Sequence, residues 1–288
     1  MDYPDQAPDA LPAAADIATL TIQPTRGWGH LGLADLWRYR ELLWFWTTRE
    51  IKGRYRQMAL GPLWVIIKPL LDMVVFTLVF GGLAKLDSEG VPYPLFTYAA
   101  IVPWTFFSNA ATGSATSLVT KMAVISKVYF PRLIVPISAV LAGLVDLAVT
   151  SAVLVIMLVA YGVALSPLAL LLPFYVLLAM ATALAIGLWS ASLAVRFRDL
   201  QFVINYGLQL AMYVTPVAYS ATLVPERWQT LYRLNPMFWV VEGSRWALLG
   251  KGTPPEPLML VPILAVGLLL VAGAFVFRRS ERTVVDLL

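Results

Sequence analysis

The chain has no cysteine and a single histidine in 288 residues. The first absence rules out disulfides, thiolate metal sites and a cysteine nucleophile. The second removes His-cluster metal sites and any His-based triad within one chain, because His30 also stands ahead of the apolar region. Charge is scarce as well: 13% of residues are charged against 59% hydrophobic, too few to cover the surface of a soluble domain. Most of the chain therefore belongs in lipid. A net charge of +4 does not point to nucleic acid, because the basic residues flank apolar runs and form no patch on a polar fold. A phosphate-wrapping P-loop is missing too: near Gly250 and Lys251, Gly243 stands at the wrong spacing and Gly252 replaces the hydroxyl residue. No cofactor is expected in this chain.

What is present is a series of apolar runs. A membrane-crossing helix needs about 20 apolar residues, and six segments qualify: Leu63 to Ala84, Leu95 to Ser117, Ile137 to Tyr161, Leu168 to Val195, Phe202 to Tyr219 and Leu258 to Phe277. The fifth is short and carries Asn205 and Gln209. The expected fold is an all-α integral membrane protein with six transmembrane helices. Of the 21 Lys and Arg residues, 15 fall on the side assigned to the cytoplasm and five on the other, with Lys68 inside the first span. Under the positive-inside rule this predicts a multi-pass protein with both termini in the cytoplasm.

Residues 1–30, rich in Pro, Ala and Asp, read as a flexible cytoplasmic tail without a signal peptide. Residues 31–60 combine an amphipathic stretch, Leu33 to Thr47 with its tryptophans, and a basic doorway holding Arg49, Lys52, Arg54 and Arg56. The stretch suits a helix lying in the membrane interface, on which Leu33, Leu36, Trp37, Trp44 and Ile51 share a face. Residues 61–277 form the transmembrane domain, and 278–288 a cytoplasmic tail. Within the former, residues 220–257 are too long for a turn and too polar to cross. They predict two short outer helices, Pro225 to Leu234 and Pro236 to Leu249, lying re-entrant or along the outer surface, with a small exposed cap as the alternative.

Polar residues inside the spans fall on faces. Tyr98, Thr105, Asn109, Thr112 and Thr116 recur at helical spacing in the second span, and Asn205, Gln209, Met212 and Tyr213, with Tyr206 one position round, do so in the fifth. Such stripes serve either interhelical packing or a hydrated channel wall. Lys68 and Asp72, four apart, are placed to pair. Asp146 has no evident partner in the sequence. Between the second and third spans, Lys127, Val128, Tyr129, Phe130, Pro131 and Arg132 keep apolar side chains on the cytoplasmic side. A partner surface explains this, as does a loop folded on the inner interface.

The order Arg49, Glu50, Ile51, Lys52, Arg54, Tyr55, then Leu60, Gly61, Trp64 and Pro69, resembles the start of the ABC-2 type permeases that export bacterial polysaccharides. The run Lys127 to Arg132 with Pro136 resembles that family's coupling segment. Phe197, Arg198, Asp199 and Leu200 resemble its next inner turn. Thr215, Pro216, Val217 and Tyr219, then Leu234, Asn235, Pro236 and Met237, resemble its late outer region. Met58 departs from the Ser or Thr more usual there. The resemblance implies a homodimer in the bacterial cytoplasmic membrane, bound to two copies of a separate ATP-binding cassette ATPase that holds ATP and Mg. The cargo is then a lipid-linked polysaccharide of O-antigen, capsule or teichoic-acid type.

Apart from the resemblance, the channel reading of the stripes has Tyr98, Thr105, Asn109, Thr112, Asn205, Tyr206, Gln209 and Tyr213 line the channel, with interhelical packing as the alternative. The resemblance further implies roles for other residues. Arg54 and Arg56 would admit the anionic lipid end, Lys127 to Arg132 would couple to the ATPase, and Trp239 and Trp246 would gate the outer end. The competing readings are a drug or lipid exporter of the same superfamily and a membrane-embedded enzyme acting on lipid-linked sugars. The enzyme would have to draw on Glu226, Glu242 and Glu256, whose spacing marks no catalytic site.

Overall fold

The structure, a computed structural model, describes residues 33–56, 61–125, 130–194, 197 and 199–286. The N-terminal tail and Lys127, Val128, Tyr129, Arg196 and Arg198 lie outside the described residues. Among those described there is no strand. Ten helices follow one another: α1 (Leu33–Arg38), α2 (Arg40–Tyr55), α3 (Leu63–Phe76), α4 (Tyr93–Ile125), α5 (Ile134–Ala160), α6 (Leu172–Ala194), α7 (Leu200–Val214), α8 (Glu226–Arg233), α9 (Pro236–Leu249) and α10 (Leu260–Asp286). A π-helical stretch, Thr77–Leu83, prolongs α3.

Four stretches among the described residues are both long and apolar enough to cross a membrane: Leu63–Leu83, Ile134–Ala160, Pro167–Ala194 and Pro257–Ser280. The other two expected spans differ, each for a physical reason. With 33 residues α4 has ample length, but its Thr, Ser and Asn residues dilute its apolar character. α7 stops at Val214 after 15 residues, roughly 22 Å against a hydrocarbon core of about 30 Å. Thr215 precedes Pro216 and takes up extended backbone, because the proline ring disfavours a helical residue before it. The fifth segment therefore ends five residues earlier than its composition suggests.

α4 is the hub, packed against α3, α5, α6, α7 and α9. Small residues let its neighbours approach: a Cβ added at Gly187 of α6 would fall 2.1 Å from Ser114 Oγ of α4. Trp104, Phe106 and Phe107 fill the wider gaps on α4 and are buried. α9 meets α6 in the same way, with a Cβ at Gly243 falling 2.2 Å from the Tyr175 ring. Close approach through glycine is how membrane helices gain dispersion contact where lipid supplies no hydrophobic drive. Gly243→Val is expected to cost about 2–3 kcal/mol of stability through overpacking, seen as a lowered thermal midpoint in detergent. An unchanged midpoint would contradict the α6–α9 contact.

The outward faces of α3, α7 and α10 carry exposed Leu71, Leu78, Phe202, Val203, Leu264 and Leu268, a surface stable in lipid and not in water.

Candidate functional site

Three polar assemblies interrupt this apolar bundle. The first joins the N-terminal helices to it. The expected helix Leu33 to Thr47 is broken at Tyr39, and its second part continues to Tyr55, so the basic doorway is itself helical as far as Arg54. Its buried side chains are Trp46 and Thr47, while Trp37 and Trp44, members of the apolar face expected to lie in the interface, are 73% and 74% exposed. Arg54 forms an ion pair with Asp146 of α5, and the Tyr55 hydroxyl donates to the other oxygen of the same carboxylate. Burial, then the hydrogen bond to Asp146, pushes the Tyr55 phenol up to about 12, so it remains a donor at physiological pH. Asp146 thus has the partners its sequence context did not reveal.

A second ion pair, Lys121 with Glu50, fastens α2 to the end of α4. Trp46 lies between: the Lys121 ammonium is 5.5 Å from its ring centroid, and the Phe130 ring is 5.7 Å away. Of the expected coupling residues, Phe130 is therefore buried against α2, while Pro131 and Arg132 are partly buried. Of the two doorway arginines, Arg54 is engaged and Arg56 is exposed. Lys68 and Asp72 make no direct ion pair, although the Lys68 charge still acts on the Asp72 carboxylate. Lys68 instead lines a small cleft of about 60 Å³ with Thr105, Asn109 and Asp146.

The second assembly is the pair of polar stripes. Thr112 of α4 donates to Asn205 Oδ1 of α7 at 3.2 Å, so the two stripes meet. Asn109, Asn205, Tyr206, Gln209 and Tyr213 are exposed on this chain, and Thr105 is partly so. Tyr98 does not belong with them. It is fully enclosed, its hydroxyl 3.5 Å from the Thr150 carbonyl, because about two turns of α4 before Thr105 the same face is covered by α5 and α9.

The third assembly, unseen in the sequence, centres on Arg245 of α9. Asn235 caps this helix by accepting from Met237 N at 3.0 Å, and Gly250 ends it with φ 66°. Both outer helices form where expected, and α9 is buried from Met237 to Arg245, whereas α8 has no buried residue. The Arg245 side chain, 0% exposed, donates to the carbonyls of Phe96 (3.2 Å), Pro216 (2.7 Å), Val217 (2.5 Å) and Tyr219 (3.2 Å) and to Glu242 Oε1 (2.7 Å). Its guanidinium lies 3.7 Å from the Phe96 ring centroid.

Other groups hold the same turn. Tyr93 donates to the Ala218 carbonyl at 2.5 Å, and Asn235 Nδ2 to Thr215 Oγ1 at 3.0 Å. Glu89 accepts from Ser220 Oγ at 2.5 Å and from Gly252 N at 2.9 Å. The turn after α7 lacks regular structure and is largely buried, and these donors and acceptors satisfy its backbone, as buried irregular chain requires. Trp239 is fully enclosed, with Nε1 donating to the Arg233 carbonyl at 2.7 Å, a tie between α8 and α9. Trp246 is partly buried. The signal was available: Glu242 and Arg245 are opposite charges three apart in an apolar helix.

No three His, Cys, Asp or Glu residues cluster to hold a metal among the described residues. The assemblies join helices and line a polar face. These features define a polytopic helical membrane protein whose irregular segment after α7 is locked into the bundle.

Comparison with known proteins gives the family. Residues 41–249 match the family described as ABC-2 type transporter, a stretch reaching from the doorway helix to the end of α9, and the chain belongs to that family. It is 32% identical over 86% of its length to the O-antigen export system permease protein RfbA of Myxococcus xanthus, 96% of which is covered. A Klebsiella pneumoniae protein of the same name is 27% identical over 68% of this chain and 76% of its own. The polysialic acid transport protein KpsM of Escherichia coli is 23% identical over 70% and 78%. The chain is accordingly a membrane transport subunit, multi-pass and helical.

Proposed function

We propose that the chain is the permease subunit of an ATP-driven exporter that moves a lipid-linked polysaccharide outward across the bacterial cytoplasmic membrane. The observation that carries this reading is the near full-length relation to an O-antigen export permease, joined to a polar face on α4 and α7 that an exporter of apolar cargo does not need. In this reading two copies of the chain, each with six spans and both termini in the cytoplasm, meet around that face. Asn109, Thr112, Asn205, Tyr206, Gln209 and Tyr213 then face hydrated glycan, and α4 and α7 complete the spans that length and composition alone leave short.

The ATPase is a separate subunit, two copies per complex, holding ATP and Mg. It docks on the segment Lys127 to Arg132, whose end at Phe130 rests on Trp46 of α2. Arg56, exposed, is placed to meet an anionic lipid head, with Arg54 reaching it only on leaving Asp146. Trp239 and Trp246 act at the outer end by holding α8 and α9.

The test is purification of the tagged chain in mild detergent from its native host. The expected result is an ATP-binding cassette subunit retained in equal number and lost when Val128 and Tyr129 are both changed to Asp. A chain that supports export with no ATPase bound would contradict the proposal.

A further inference from the structure

Two cavities lie side by side where α8 meets the turn after α7. The larger, about 440 Å³, is walled by the rings of Tyr219, Trp228 and Tyr232 with Leu86, Val224 and Pro225. The smaller, about 150 Å³, shares Val224 and Tyr232 with it and presents Glu89, Thr222, Gln229 and Thr253, with Glu242 at its base. An aromatic wall beside a group of hydrogen-bonding side chains is the composition of a ligand site of 300–1,000 Å³ order. Trp228 is 47% exposed, braced by the Arg227 guanidinium 5.8 Å from its ring centroid. The Tyr219 hydroxyl donates to the Tyr213 carbonyl at 3.0 Å and meets the Tyr232 hydroxyl at 3.3 Å. Tyr213 is the last polar position of α7, so the cleft begins where the stripe of Asn205, Gln209 and Tyr213 ends.

The lining selects among occupants. Gln229 donates to the Val224 carbonyl and Glu89 accepts from Ser220 and Gly252, each with hydrogen-bonding capacity to spare, and an acyl chain would meet the rings while setting hydrocarbon against that spare capacity. An anion would face Glu89 and Glu242, and the one cation there, Arg233, is engaged by Glu256 at 2.8 Å. A pyranose ring without net negative charge meets both halves. Its C–H face lies against an aromatic ring, as apolar surface does, and its hydroxyls donate to carboxylates and accept from Gln229 and Thr253. We infer that this cleft is a carbohydrate site at the outer end of the polar face, where one sugar unit of the cargo stacks on Trp228 or Tyr219 and hydrogen-bonds to Glu89 and Gln229. The inference rests on the reading of the chain as a glycan permease and adds a subsite to it.

The experiment is calorimetric titration of the full-length chain, with whatever subunits co-purify, against short oligosaccharides released by mild acid from the host's own surface polysaccharide. Saturable binding is expected, weakened roughly tenfold in Trp228→Ala by loss of the stacking face, largely kept in Trp228→Phe, and weakened several-fold in Gln229→Leu. Elution volume and bound subunits identical to wild type show that each variant is folded. Equal binding by wild type and Trp228→Ala, displacement of the sugar by a short-chain fatty acid, or no saturable binding at all would overturn the subsite. A deletion strain separates the two failures. If surface polysaccharide disappears on deletion while the purified chain binds no sugar, the permease reading stands and the subsite falls. If the surface polymer survives deletion, the permease reading falls first.

Discussion

Replacing Arg245 with methionine is expected to leave little folded protein in the membrane. The side chain is 0% exposed and bonded to four backbone carbonyls and to Glu242, itself 1% exposed. Methionine fills most of the volume and supplies no donor. Breaking a buried pair from one side costs about 3–5 kcal/mol, because the remaining charge is stranded, against a total stability of about 5–15 kcal/mol. The fraction of extracted protein running as a single species should collapse, and its half-life on warming should fall by more than tenfold. Glu242→Gln is milder, since the amide oxygen still accepts from Arg245. Arg245→Met combined with Glu242→Leu recovers part of the loss, as removing both charges leaves none stranded. Recovery is incomplete because Phe96, Pro216, Val217 and Tyr219 still lack their donor. A single variant as long-lived as wild type would show that the outer turn is held by something else.

The second large effect is at the doorway. Asp146→Asn removes the charge that holds Arg54 and weakens the acceptor for Tyr55. The Arg54 side chain is 26% exposed and that of Asp146 12%, so solvent screens part of the attraction and the loss is about 1–3 kcal/mol. The consequence is local: α2 separates from α5 more often, while Glu50 and Lys121 continue to hold its middle. Trypsin cleavage after Lys52, Arg54 and Arg56 in membranes should accelerate roughly tenfold for each 1.4 kcal/mol lost, as cleavage follows the population of the opened segment. Export should fall with it, since the doorway helix then lacks a fixed position. Arg54→Lys, which keeps the charge, should accelerate cleavage less. Cleavage at the wild-type rate in Asp146→Asn would contradict the clasp.

These two sites also mark what the sequence disclosed and what it withheld. Helix α9 was legible because its ends are written locally: Asn235 and Pro236 open it and Gly250 closes it. The apolar runs of α3, α5, α6 and α10 were legible for the same reason, each being long enough to dominate its own segment. The end of α7 was overrun because an apolar count does not register the constraint that Pro216 places on Thr215. The partners of Asp146 are 91 and 92 residues away on α2, and no local pattern encodes them. Spacing alone also left two features incomplete. Lys68 and Asp72 are four apart, yet Lys68 turns to the cleft with Asn109. Tyr98 shares a helical face with Asn109, yet α5 and α9 cover that part of the face. Periodicity assigns a side of a helix; the neighbours decide what that side meets.

In the proposed reading, the doorway clasp, the polar stripes of α4 and α7, and the cleft beside α8 are the beginning, wall and end of one route. That such a route carries a polysaccharide outward is the central claim. It is tested most directly by an in-frame deletion in the native host, measuring surface polysaccharide by labelling intact cells and lipid-linked polymer in the cell interior by extraction. The account predicts loss of the surface polymer with accumulation inside, both reversed by the wild-type gene and not by Arg245→Met. Unchanged surface polymer, with no accumulation inside, would contradict it.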